Sequence, residues 1–230
     1  MNTTVWTAIF ISLCSGSALY AQESNAVRLA LEPGSQLSFD GTSTLHGFTC
    51  KTDQLEASIE VDPAYKTKDL TTLARPIVNV RVQIPVKSLV CGSKKLESNM
   101  FKTLRADEFP TITYVMTDYE VLTGVTRGNT LVAKTVGTLT VAGTQRAMEM
   151  RVESTRGSDG TVTAEAQQPI LMTDYGIKPP TFMLGTLRVG NELKIHFTVK
   201  ASPAKIAAAV GAVTGRDQPV VVATGKFLQQ

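Results

Sequence analysis

Residue types that could move protons or bind metals are few in this sequence and poorly grouped. Its 230 residues include two histidines, His46 and His196. His46 stands before Gly47 and Phe48 near a turn, and His196 falls on the polar side of a strand-like run. Neither has acidic neighbours at ligand spacing, so the case for a metal is weak. Asp107 and Glu108 are adjacent carboxylates at the end of a helical stretch. They could be offered as an acid–base dyad, against the plainer reading of a solvated corner. No GxSxG serine, phosphate-cradling loop or dinucleotide fingerprint occurs. The glycines of Gly124–Asn129 mark a strand break and read as a turn. The expectation is a protein that is not an enzyme and needs no cofactor.

Thiol chemistry is equally sparse. Of three cysteines, Cys14 lies in an N-terminal stretch that reads as a secretory signal. There, Val5 to Leu13 is an apolar core, Ser15 to Ala21 is small and polar, and Ala21 before Gln22 is a credible cleavage point. A membrane anchor is the rival, but the run is short of the roughly 20 residues a span needs. Export to the periplasm or beyond leaves Cys50 and Cys91. With no CxxC spacing, third thiol or nearby histidine, a structural disulfide is the simplest reading of the pair. The rival is a redox or metal pair.

The elements that must position any site are mostly strands. Leu55, Ala57, Ile59 and Val61 alternate with polar residues, as do Val78, Val80, Val82 and Ile84. Met148, Met150 and Val152 repeat the pattern, and Leu193, Ile195, Phe197 and Val199 do so in the last strand. Turns are expected at Glu32–Ser35, Ala142–Thr144 and Gly157–Gly160, and residues 64–75 read as a polar connection. One stretch breaks the two-residue period: Leu96, Met100, Phe101 and Leu104 share a helical face, with Ser93 as N-cap and Pro110 as the stop. Sequential strands with hairpin-length connections predict an all-β antiparallel sheet, which closure into a barrel would protect from edge-to-edge aggregation. The single amphipathic helix would sit near the barrel mouth. The domain reading is a signal peptide over residues 1–21, a barrel over 22–201 and an Ala-rich tail over 202–230. With 43% hydrophobic and 19% charged residues, the composition is globular. A formal net charge of +3 with no basic cluster argues against nucleic acid as a partner. Whether the apolar interior is a filled core or a pocket stays open at this level, since flexible methionines suit both.

Several segments, taken in order, resemble the YceI-like family, exported bacterial proteins with a lipocalin-like antiparallel barrel. Ser38-Phe39-Asp40 is similar to its first-strand motif and Leu45-His46-Gly47 to the step opening its next strand. Ser88 to Tyr114, including Glu108-Phe109-Pro110-Thr111-Ile112-Thr113-Tyr114, resembles its most recognisable block. Gly137 to Gln145, Asp174-Tyr175-Gly176-Ile177 and Val189 to Leu193 complete the likeness over residues 27–201. The Cys50/Cys91 pair and Lys178 to Met183 depart from the plainer family pattern. The resemblance implies a barrel that encloses a polyisoprenoid or isoprenoid-quinone-like lipid as carrier or sequestering protein, in transient contact with membranes, as monomer or homodimer. On that reading Phe39, Leu45, Phe48, Val82, Met100, Phe109, Ile112, Tyr114, Leu139, Met172, Phe182 and Phe197 are expected at the wall. Tyr175 and His46 are expected near a polar head group at the rim. The rivals are a filled barrel working through its outer surface and an enzyme using His46 or Asp107/Glu108.

Overall fold

Alternation along the strands becomes two faces of one curved sheet in the computed structural model, which describes residues 25–204. In chain order the strands are β1 (Val27–Leu31), β2 (Gln36–Ser43), β3 (Gly47–Thr52), β4 (Glu56–Val61) and β5 (Ile77–Pro85). The helix α1 (Lys94–Thr103) follows, then β6 (Thr111–Val121), β7 (Thr130–Val141), β8 (Thr144–Arg156), β9 (Val162–Leu171), β10 (Thr181–Phe182) and β11 (Leu187–Pro203). Eight strands close an antiparallel ring in the order β1-β4-β5-β6-β7-β8-β9-β11, with β11 pairing back onto β1. The architecture is the expected lipocalin-like barrel with one helix.

Closure depends on β11, which spans 17 residues. One edge pairs with β9 from Glu192 to Ala201. The other is shared in sequence: β2 takes Val189 to Thr198 and β1 takes Ala201 to Pro203. The β2–β3 hairpin therefore extends the sheet beside the ring. The Ala142-Gly143 turn between β7 and β8 has positive φ at both residues (48° and 80°), the backbone twist that a tight hairpin demands.

Strand β9 continues through Pro169 to Leu171, whereas its pairing with β8 stops at Ala166. Beyond that point β9 has a free edge, where proline is tolerated. Ser93 does precede the helix in extended conformation, but its hydroxyl makes no capping bond. Instead the Glu97 carboxylate reaches back to the Cys91 N–H at 3.1 Å. Residues 64–75 are more than a polar connection. Asp62 and Asp69 start two short 3-10 turns by accepting from the N–H groups of Ala64 (2.7 Å) and Thr71 (2.9 Å). These turns bury Tyr65 and Leu70 against Leu29, Val61, Leu131, Val199 and Ala201, closing one end of the barrel. The proposed signal segment and residues 205–230 of the tail lie outside the described residues.

Candidate functional site

Inward positions of the ring leave a cavity of about 250 Å³. Its wall is built by inward residues of all eight ring strands, including Ile59, Val80, Met148, Ile170 and Ile195, and it reaches the closed end at Tyr65 and Leu70. A second, smaller cavity of about 90 Å³ lies beneath α1, between β2, β3, β11 and the segment from Met172 to Phe182. Phe39, Leu104, Val141, Ile170 and Leu193 line both, so the two spaces adjoin. The glycines make this possible at two points. A Cβ on Gly137 would stand 2.5 Å from the Tyr114 ring, and one on Gly41 would stand 2.4 Å from Phe48. Bare backbone lets both rings lie flat across a neighbouring strand.

Of the residues singled out in the sequence, Phe39, Val82, Ile112, Tyr114, Leu139 and Phe197 line the larger cavity. Phe39, Phe48, Met100, Met172, Tyr175 and Phe182 line the smaller one. Leu45, His46 and Phe109 line neither. Leu45 is 73% exposed, which corrects its placement at the wall. The Ser43 hydroxyl accepts from the N–H groups of both Leu45 (3.3 Å) and His46 (3.2 Å), curling the β2–β3 turn outward and carrying both side chains with it. His46 is further held by its Nδ1 at 2.7 Å from the Gly47 carbonyl oxygen. Phe109 lies at the exit of the helical segment, under the Arg105 guanidinium at 4.4 Å and over Gly143.

The remaining acid–base candidates lie outside both cavities. Asp107 pairs with Lys87 at 2.6 Å and Glu108 with Arg105 at 3.3 Å, all four exposed. His196 meets Asp40 at 2.9 Å on the outer face of β11, and the Thr49 hydroxyl donates to the same carboxylate at 2.6 Å. That Thr49 bond, helped by His196, holds the Asp40 carboxyl below the usual range. Among the described residues no group of three or more His, Cys, Asp or Glu side chains could hold a metal. No described helix is long and apolar enough to cross a membrane.

Polar groups inside the larger cavity are few. The Tyr114 hydroxyl, its pKa raised by burial, donates to Thr135 at 3.4 Å, and Thr135 donates to the Met150 carbonyl. Tyr65, Ser154 and Arg156 gather at the closed end. Sequence reasoning passed over Tyr65 and Leu70 because they sit in a connection without periodicity. It also passed over Ser154 and Arg156, which continue the inward alternation of Met148, Met150 and Val152 but are polar.

The smaller cavity is framed by a covalent bond. Cys50 and Cys91 form a disulfide across 41 residues of sequence. It joins β3 to the entrance of α1, beside the backbone bridge in which Lys51 and Val90 exchange hydrogen bonds of 2.9 and 2.8 Å. Cys50 lines the cavity and is 1% exposed. The Cys91 backbone is tied to the helix by Glu97, whose carboxyl sits below its ordinary 4.5, chiefly through the Lys94 ammonium and then through the Cys91 N–H. A depressed carboxyl contributes stability that is present above 4.5 and lost as pH falls through the depressed value. The protection of the Cys91 amide, measured against its intrinsic exchange rate at each pH, is therefore expected to fall on acidification below pH 4.5. In Glu97→Gln, that acid-dependent step should vanish; hydrogen-exchange mass spectrometry across the two pH values checks it.

A family model, the YceI-like domain, matches residues 31–201. Among solved structures, BcnA of Burkholderia cenocepacia is similar, with TM-score 0.60 and 19% identity, covering 75% of this chain and 100% of that one. A polyisoprenoid binding domain from Saccharophagus degradans, implicated in plant cell wall breakdown, gives TM-score 0.57 at 15% identity, covering 77% and 98%. The YCEI protein of Campylobacter jejuni gives TM-score 0.53 at 19% identity, covering 68% and 85%. No curated protein matches the sequence.

Proposed function

This chain belongs to the YceI-like domain family, and on that premise we propose that it holds an elongated apolar lipid inside its barrel, as carrier or sequestering protein. The observation that carries the reading is the cavity of about 250 Å³ walled almost wholly by aliphatic and aromatic side chains. Each CH₂ moved from water into such a space gains about 0.8 kcal/mol, so a few isoprene units give tight binding relative to water. Relative to a bilayer that gain nearly vanishes, because the chain already lay in hydrocarbon. The protein would exchange its guest with membranes by transient contact. An isoprenoid-type guest follows by analogy with the Saccharophagus domain, described as polyisoprenoid binding. Val82, Ile112, Tyr114, Leu139 and Phe197 would hold the chain, with Phe48, Met100, Met172, Tyr175 and Phe182 at the helix-covered end.

Binding is favoured over turnover because the histidines and the Asp107–Glu108 pair all lie outside both cavities. The Cys50–Cys91 disulfide supports an oxidising compartment, and with the signal-like residues 1–21 it favours export. Organic extraction of protein purified from its exported fraction, followed by mass spectrometry, is expected to return a stoichiometric lipid with a long hydrocarbon chain. A barrel that returns none would support the filled-core reading.

A further inference from the structure

Tyr65 lines the closed end of the larger cavity. Tyr65 is 2% exposed, and its hydroxyl oxygen is buried without a hydrogen-bond partner among the described residues. Its backbone is fully used: the N–H donates to the Asp62 carbonyl, and the carbonyl accepts from the Arg156 guanidinium. Arg156 is itself anchored by the Lys68 carbonyl at 2.9 Å and the Asn129 side-chain oxygen at 2.7 Å. These bonds hold the Tyr65 turn rigidly in place. Nearby polarity is concentrated here: along the inward side of β8, Met148, Met150 and Val152 are apolar, and the last two positions are Ser154 and Arg156. A barrel that wanted only a greasy plug at this end would carry phenylalanine and valine there. Buried polar groups are almost always paired, and a specific exception calls for a reason.

We propose that the end of the cavity closed by residues 62–73 is a subsite for one oxygen atom, a carbonyl or hydroxyl at the leading end of the guest, bonded by Tyr65. The inference rests on the lipid-binding reading and specifies the guest: a long apolar chain that enters oxygen-first. A hydrocarbon of equal length leaves the Tyr65 hydroxyl unpaired and forfeits that bond. The subsite also fixes direction, since the opposite end of the cavity meets the apolar space under α1, lined by Leu96, Met100 and Phe182.

The test uses the full chain loaded with N-phenyl-1-naphthylamine, an apolar fluorophore, and displaces it with decane, 1-decanol or 2-decanone. After correction for water solubility, the oxygenated probes are expected to bind about tenfold more tightly relative to decane than they do in Tyr65→Phe. Equal ratios in the two proteins would overturn the subsite while leaving the lipid cavity standing. Failure of the fluorophore and all three probes to bind would overturn the cavity reading and the subsite with it. Tyr65→Phe removes no hydrogen bond made among the described residues, so its fold is expected to persist, as thermal unfolding verifies. An independent readout needs no variant: the infrared carbonyl stretch of bound 2-decanone should lie below its frequency in alkane solvent. A stretch at the alkane value would count against the bond.

Discussion

Replacing Val82 with tryptophan is expected to strip the protein of lipid and leave it folded. Val82 lies in the middle of β5, in register with Ala57 on β4 and Tyr114 on β6, and its side chain faces the larger cavity. An indole at this position projects into empty space, which is unlike overpacking a filled core, where extra methylenes cost about 1–3 kcal/mol. The stability change should therefore stay within about 1 kcal/mol. The guest has no such latitude. Excluding even two methylene groups of its chain forfeits about 1.6 kcal/mol, more than a tenfold loss of affinity. Lipid extracted per mole of Val82→Trp protein, set beside its thermal unfolding curve, checks both halves. Unchanged lipid content would mean that the guest does not lie along this wall.

The second large effect concerns the disulfide. Changing Cys50 and Cys91 together to alanine is expected to cost about 4 kcal/mol, the chain-entropy value for a closed loop of 41 residues. Alanine is the suitable replacement because Cys50 is 1% exposed and a serine hydroxyl there would need a partner. The loss falls at a sensitive place. β3 belongs to the hairpin outside the closed ring, and beyond β2 its described attachments are the Lys51–Val90 bridge, the Thr52–Ser88 hydroxyl bond at 2.8 Å and the disulfide itself. Urea unfolding should show a lower midpoint and a somewhat steeper slope, because the unfolded chain without its cross-link exposes more surface. A loss under about 1 kcal/mol would show that the bridge and the Glu97 tether suffice. Faster guest exchange is expected in the same variant, since Cys50 and Met100 line the space beneath the helix.

Much of the barrel was readable in advance because a strand with one buried face must alternate. Val80, Val82 and Ile84, or Ile195, Phe197 and Val199, announce an inward face in any β-sheet that has an inside, and the structure lines the larger cavity with all six. Val78, expected on the same face, is 49% exposed because a register shift in the β4–β5 pairing skips it and turns Ile77 inward. The helix was readable for the same reason with a different period. The other misreadings fall where period carries no information. The resemblance places Leu45 at the wall, but a turn has no inner face of its own, and the Ser43 hydroxyl turns it outward. Tyr65 and Leu70 were lost in a polar connection because their burial comes from two capped turns swinging over a barrel that closes through strands far away in sequence.

By itself the sequence determined most strand faces, the one helix and the two cysteines that could meet, since alternation, helical spacing and thiol number are local properties. Only the tertiary structure decided that the barrel stays partly hollow. Whether inward side chains meet across the axis depends on strand number and on the gaps left by Gly41 and Gly137, none of which any single stretch of chain contains. It also decided that a tyrosine hydroxyl ends up at the foot of the cavity with no partner among the described residues, because the groups that could have satisfied it are set by how distant segments close over it.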